Sequence, residues 1–224
     1  MKKIIIVFAM LTMGSLIVSP SMVSAQGTSY LSNLSQASQF YTFSISSNGF
    51  IAQRFVTGNS PGYLLNSVQL LMDSALGAPN GFSVYLYGAS RSGSPSDAPI
   101  ANLGGANPIF GGIYSFTNQE ITLLPSTSYF IAVHATSPPE DGGYRWRISQ
   151  TNTYASSGNW QMSLNRYVSD AGGYNWSAVG DTPLQFAINS TIIPEPSSLT
   201  LLGLGTLFLS IPNIRKQLPK HALL

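Results

Sequence analysis

One histidine, His134, and five carboxylates, Glu120, Glu140, Asp141, Asp170 and Asp181, are the groups between Gln26 and Ile193 best typed for acid–base work. Metal binding or proton transfer needs such groups to converge. His134 lies between Val133 and Ala135 in an apolar run, where it reads as a half-buried strand residue rather than a base. A Ser-His-Asp triad would need a serine presented on a sharp turn, and no Gly-x-Ser-x-Gly elbow is present. Glycoside hydrolysis would need two of the five carboxylates facing each other across a sugar bond. Four of them sit within two residues of Gly or Pro, in the solvated turn contexts where acids ordinarily stand. No residue is therefore assigned a catalytic or metal-ligating role, and no cofactor is implied.

A second pattern concerns binding. Glu140-Asp141-Gly142-Gly143-Tyr144-Arg145-Trp146 recurs as Asp170-Ala171-Gly172-Gly173-Tyr174-Asn175-Trp176. Each copy places an acid ahead of Gly-Gly, then Tyr and Trp two residues apart. On a strand, that spacing puts both rings on one face. Aromatic faces stack on sugars, and neighbouring Asp, Asn and Arg can take the hydroxyls. One reading is a shallow carbohydrate-contacting surface built from Tyr144, Trp146, Trp160, Tyr174 and Trp176, with exopolysaccharide as the ligand. The other is two hairpin entries whose rings pack in a β core, where aromatics contribute most. A calcium site on Asp141 or Asp170 would need a denser alternation of oxygen ligands than either copy offers.

The elements that would position these residues are strands. Ile51–Val56, Tyr63–Met72, Phe82–Tyr87, Gly112–Phe116 and Tyr144–Ile148 are short apolar or alternating runs, and further runs follow at 160–164 and 184–188. Turn chemistry such as Gly58-Asn59-Ser60-Pro61-Gly62 and Ala78-Pro79-Asn80-Gly81 separates them. The stretch 88–99 reads as a long Ser/Gly/Pro loop, and 26–39 as a flexible start. Ser128–Ala135 is the most apolar interior run; its length and its β-branched and aromatic content predict a strand buried on both faces. About ten short strands with turns every eight to twelve residues, and no sustained helical period, predict a single all-β domain over 40–193, a β-sandwich or jelly roll. Ala52-Gln53-Arg54-Phe55, Leu65-Asn66-Ser67-Val68, Pro79-Asn80-Gly81-Phe82-Ser83-Val84, Tyr114-Ser115-Phe116, Leu124-Pro125-Ser126-Thr127-Ser128-Tyr129 and Pro183-Leu184-Gln185-Phe186 resemble, in order and spacing, the exported module called the choice-of-anchor R domain. That resemblance implies architecture and address but no chemistry.

The two ends carry targeting patterns. Lys2 and Lys3 precede an apolar run from Ile4 to Val18, then Pro20, then small residues ending at Ala25 before Gln26. That order is a signal peptide over 1–25, cleaved between Ala25 and Gln26, and it implies Sec-type export machinery and signal peptidase as partners. At the other end, Pro194-Glu195-Pro196 precedes an apolar stretch from Leu199 to Ile211 and the basic residues Arg215, Lys216 and Lys220. Taken from Ser197 to Ile214 as a helix, this segment is roughly 27 Å long, close to the ~30 Å hydrocarbon thickness, so residues 197–214 are expected to enter the membrane. The order Pro-Glu-Pro, apolar helix, basic end resembles the PEP-CTERM sorting signal. The resemblance implies that 194–224 is a sorting segment, that an exosortase processes it, and that the protein belongs to a cell-surface or biofilm-matrix setting.

Charge agrees with that address. The whole chain is formally +2. Residues 26–193 hold five basic residues against seven acids, a formal net of −2, and contain neither lysine nor cysteine. The basic surplus belongs to the ends, so nothing here has the electrostatic footprint of a nucleic-acid binder. The expected protein is a non-catalytic exported surface or matrix component.

Overall fold

The computed structural model describes residues 27–118 and 120–194, all strand, turn and loop apart from one 3-10 turn at Pro139–Asp141. In chain order the strands are β1 (Thr28–Ser32), β2 (Ser38–Ile45), β3 (Ile51–Val56), β4 (Tyr63–Gly77), β5 (Ser83–Ala89), β6 (Pro95–Leu103) and β7 (Gly112–Phe116). There follow β8 (Thr122–Leu123), β9 (Ser128–His134), β10 (Gly142–Ser149), β11 (Ala155–Ser156), β12 (Gln161–Val168), β13 (Ser177–Val179) and β14 (Phe186–Ile192). They form two antiparallel sheets. One runs β11-β1-β14-β4-β10-β2, with β7 and β8 also on β4; the other runs β13-β12-β3-β9-β5-β6.

Alternation explains how the sheets meet. Leu65, Val68, Leu70 and Met72 of β4 face Phe55 of β3, Val84 and Leu86 of β5, and Tyr129, Ile131 and Val133 of β9 in one buried cluster drawn from both sheets. The chain is thus an all-β sandwich of two antiparallel sheets, as the spacing of its apolar runs predicted. Strand β9 is buried on both faces: Phe130 and Ala132 point away from the main core into a second cluster with Ala52 and Tyr87. One buried polar side chain bridges the two sheets. The Gln53 amide donates to the Ser163 carbonyl (2.7 Å) and accepts from the Leu184 amide (2.9 Å), joining β3 to β12 beside it and to the segment ahead of β14 in the other sheet.

Two expectations are corrected. The segment read as a flexible start is not loose. Residues 28–32 form β1, paired with β14 from Thr28↔Ser190 to Ser32↔Ala187, and Leu31 is fully buried. Strand pairing at a distance of some 155 residues, not local propensity, orders this Ser- and Gln-rich segment. The 88–99 loop is also shorter than expected, because β6 begins at Pro95. Pro95 and Pro99 are tolerated because β6 ends its sheet, so a missing N–H need not break a ladder.

Strand β2 ends the other sheet and is bulged: Thr42 opposes Arg147, but the next pair is Ser38 with Ser149. Three residues therefore stand against one. The bulge turns Phe40 fully outward, at 100 % exposure, with Tyr41 at 78 %. A bulge of this kind interrupts the regular row of edge donors and acceptors.

Candidate functional site

The two copies of the acid-Gly-Gly-Tyr-x-Trp string fold differently. In the first, Gly142 has φ 110, and a side chain there would strike the Leu76 carbonyl on β4. The chain can then enter β10 flush against Gly77, and Tyr144 and Trp146 follow on one face, as strand spacing requires. That face is the interior. Both rings are fully buried, with the Tyr144 hydroxyl donating to the Pro79 carbonyl (3.0 Å) and the Trp146 Nε1 to the Gln185 carbonyl (2.8 Å). Trp160 is buried as well, parallel to Phe55 at 5.8 Å and edge-on to Tyr63 at 4.9 Å.

The proposed five-ring sugar surface is therefore corrected: Tyr144, Trp146 and Trp160 are core residues. Burying an aromatic ring between two sheets is worth more than leaving it in water, and each of these rings meets others in the gap.

The second copy stays a loop, and it makes the one surface feature that unites several of the singled-out residues. Asp170 organises it. Its Oδ2 accepts from the Asn175 side chain (2.6 Å), its Oδ1 from the amides of Gly172 (3.2 Å) and Tyr174 (3.4 Å), and its carbonyl from Gly173 N (3.0 Å). Gly173, at φ 74, lies against the Phe50 ring, where a Cβ would come within 3.3 Å. The loop so formed lays Trp176 over the outer face of the β3–β9–β5 sheet, edge-on to Tyr87 (5.8 Å) and Phe50 (6.2 Å). Phe50 in turn stacks on His134 at 4.3 Å. Tyr174 remains outside, 66 % exposed.

This aromatic layer packs on itself. Phe50 is covered by His134 on one side and Gly173 on the other, which leaves Tyr174 as the exposed ring of the five. A sugar platform would need a second open ring beside it. Adjacent to the layer, a shallow pocket of about 180 Å³ is lined by Phe43, Asn48, Phe50, Val168 and serines, with neither a carboxylate nor His134 among its walls.

The electrostatics follow from the same contacts. The Asn175 side chain, then the loop amides, hold the Asp170 carboxyl below the usual carboxylate value. Burial lowers the His134 imidazole, opposed by a hydrogen bond with the Ser47 backbone, so this ring is neutral at pH 7. The remaining acids are dispersed. Asp73 pairs with Arg145 (3.5 Å) and Arg147 (3.4 Å) on the outer face of β4 and β10. Glu140 and Asp141 occupy the 3-10 turn, and Glu120 a left-handed turn position at φ 73. Among the described residues no three His, Cys, Asp or Glu gather closely enough to hold a metal ion, and no helix is long and apolar enough to cross a membrane.

One prediction arises here. A carboxyl with a depressed pKa contributes order that is complete above its ordinary value and is lost as pH falls through its lowered one. Protection of the Gly172 and Tyr174 amides, taken relative to their intrinsic exchange rates, should therefore hold at neutral pH and fall only in acid, below the usual Asp range. Asp170→Ala should remove that protection at every pH, leaving the sheets intact.

Pro194, the last described residue, is exposed. Ala25 and Gln26, Glu195 and Pro196, the apolar stretch 197–214, and Arg215 and Lys216 lie outside the described residues. Compared with known proteins, the chain matches no family model and no curated sequence.

Proposed function

We propose that this chain is a non-catalytic exported protein of the cell surface or extracellular matrix, delivered by a signal peptide and sorted at Pro194-Glu195-Pro196 by an exosortase. The observation that carries this reading is where the motif falls. Strand β14 ends at Ile192, and the amide of Ile193 makes the last tie to the domain, 3.0 Å from the Gly62 carbonyl. The tripeptide begins at the next residue. Counted along the chain, the motif starts two residues after β14 ends, so a membrane-bound peptidase acting there need not unpair that strand. The lysine-free sandwich is compatible with service outside the cell, and its dispersed acids favour a structural over a hydrolytic role.

Intact mass of the protein recovered from an exosortase-bearing host tests the proposal. A chain beginning at Gln26 and ending near residues 194–196, in the surface or extracellular fraction, is the expected result. Glu195→Ala should leave the chain extending to Leu224 and confine it to membranes. Retention of the whole tail in the unaltered protein would overturn the processing step.

A further inference from the structure

We infer that the end of the sandwich from which the tail departs is a seat for the lipid surface, and that it holds the sorting motif at headgroup level. The inference rests on the proposal that residues 197–214 enter a membrane.

Three chain segments converge at this end. Tyr63 pairs with both Ile192 and Leu123, and Leu64 pairs with both Thr191 and Thr122. Ile193 closes the group by its bond to Gly62, and its Cδ1 would lie 3.6 Å from a Cβ at Gly62. The segment 124–127 packs beside them: Thr57 donates to the Leu124 carbonyl (2.6 Å), and Ser126 N to Gly58 (2.7 Å). Here apolar side chains face water. Leu124 is 59 % exposed, Ile192 41 %, Ile193 38 % and Leu64 37 %. Ile192 stands on the Tyr63 face of the sheet and Leu64 on the opposite one, so exposed apolar groups rim both faces where the chain leaves the sandwich, and such a rim is suited to a contact.

Charge distribution selects the partner. Residues 57–64, 121–127 and 190–194 contain no Asp, Glu, Lys or Arg. The acids Glu140, Asp141 and Asp170 stand at the opposite end, where Gly77 pairs with Gly142, Ala78 N bonds the Asp141 carbonyl, and Gly49 abuts Ser169. Strand β4 runs the distance between the two ends with fifteen residues, roughly 50 Å at ~3.3 Å each. An anionic lipid surface repels the end with Glu140, Asp141 and Asp170 more strongly than the tether end, beside which the single acid Glu120 stands next to Ile121. Chain length fixes the approach: from Ile193 to Ser197 is four residue steps, at most roughly 14 Å when extended. A domain tethered that closely has to present some surface to the bilayer, and the surface at the tether is the apolar one.

The chain contains no cysteine, so single substitutions Leu124→Cys, Glu140→Cys and Leu204→Cys each give one labelling position. Leu124 and Glu140 are both exposed, so neither change disturbs the core. Each full-length variant carries a fluorophore and is reconstituted into phosphatidylethanolamine–phosphatidylglycerol vesicles containing a nitroxide-labelled lipid. Expected is strong quenching at 204, quenching at 124 several-fold above that at 140, and iodide quenching in the reverse order for 124 and 140. Quenching at 204 with equal, weak quenching at 124 and 140 would overturn the seat while leaving the membrane anchor standing. Equal, strong quenching at 124 and 140 would replace an upright domain with one lying flat, and also overturns it. Absence of quenching at 204 would remove the anchor and the seat together.

Discussion

Trp146→Ala should destabilise the sandwich by about 3–5 kcal/mol, enough to unfold a domain of ordinary stability at physiological temperature. The indole is fully enclosed where β10 crosses between β4 and β2, and its removal opens a cavity that two hydrogen-bonded sheets cannot collapse to fill. Trp146→Phe separates packing from hydrogen bonding. The Gln185 carbonyl keeps its second donor, Leu71 N at 3.1 Å, so losing the indole N–H strands nothing, and the cost should fall to about 1–2 kcal/mol. Urea midpoints of the three proteins would show the order. A Trp146→Ala domain as stable as the parent would mean that this ring is not in the core.

The second large effect belongs to Asn33, a residue that nothing in its local sequence distinguishes. Its side chain is fully buried, donating to the Leu184 carbonyl (2.9 Å) and accepting from Phe186 N (2.8 Å), just ahead of β14. It thereby fastens the exit of β1 to the entry of β14. Asn33→Ala leaves a buried carbonyl and a buried amide without partners. At about 1–3 kcal/mol for each stranded group, the expected loss is roughly 2–5 kcal/mol. Urea unfolding would read the total. Native-state amide exchange would show whether the loss is confined to β1 and β14 or shared by the whole domain. Either is far from the negligible effect expected of a loose N-terminal segment.

What could be read in advance divides along physical lines. Strand β9 was legible because the unbroken run Tyr129-Phe130-Ile131-Ala132-Val133 can satisfy both faces only inside a sheet. Strands β3 and β7 matched their expected bounds because turn residues frame them. Strands β1 and β2 were missed because Ser, Gln and Thr dominate them; what orders β1 is its fit against β14, information held at the far end of the chain. The repeated Gly-Gly-Tyr-x-Trp string makes the same point. Locally the copies are near twins, yet one becomes a core strand and the other a surface loop. The difference lies in what opposes them: Gly77 and the edge of β4 draw the first into a ladder, while Asp170 and Asn175 close the second on itself. Spacing showed that two rings share a face. It could not show which face would be covered.

The pairing of β14 has a mechanical consequence. This seven-residue strand is held on both sides, by β4 from Tyr63 to Leu70 and by β1, and the chain continues from it to Pro194. Tension between a tail fixed at the membrane and polymer attached at the acidic end would run parallel to the strands. The hydrogen bonds on both flanks of β14 would then be loaded together in shear, and the strand could slip only when many fail at once. Tension applied between the two chain ends acts differently. Gly27 and Ile193 leave the same end on neighbouring antiparallel strands, so that pull would open β1 from β14 one pair at a time, like a zipper. The same strand is thus loaded in shear by force along the sandwich and pair by pair by force between its two chain ends.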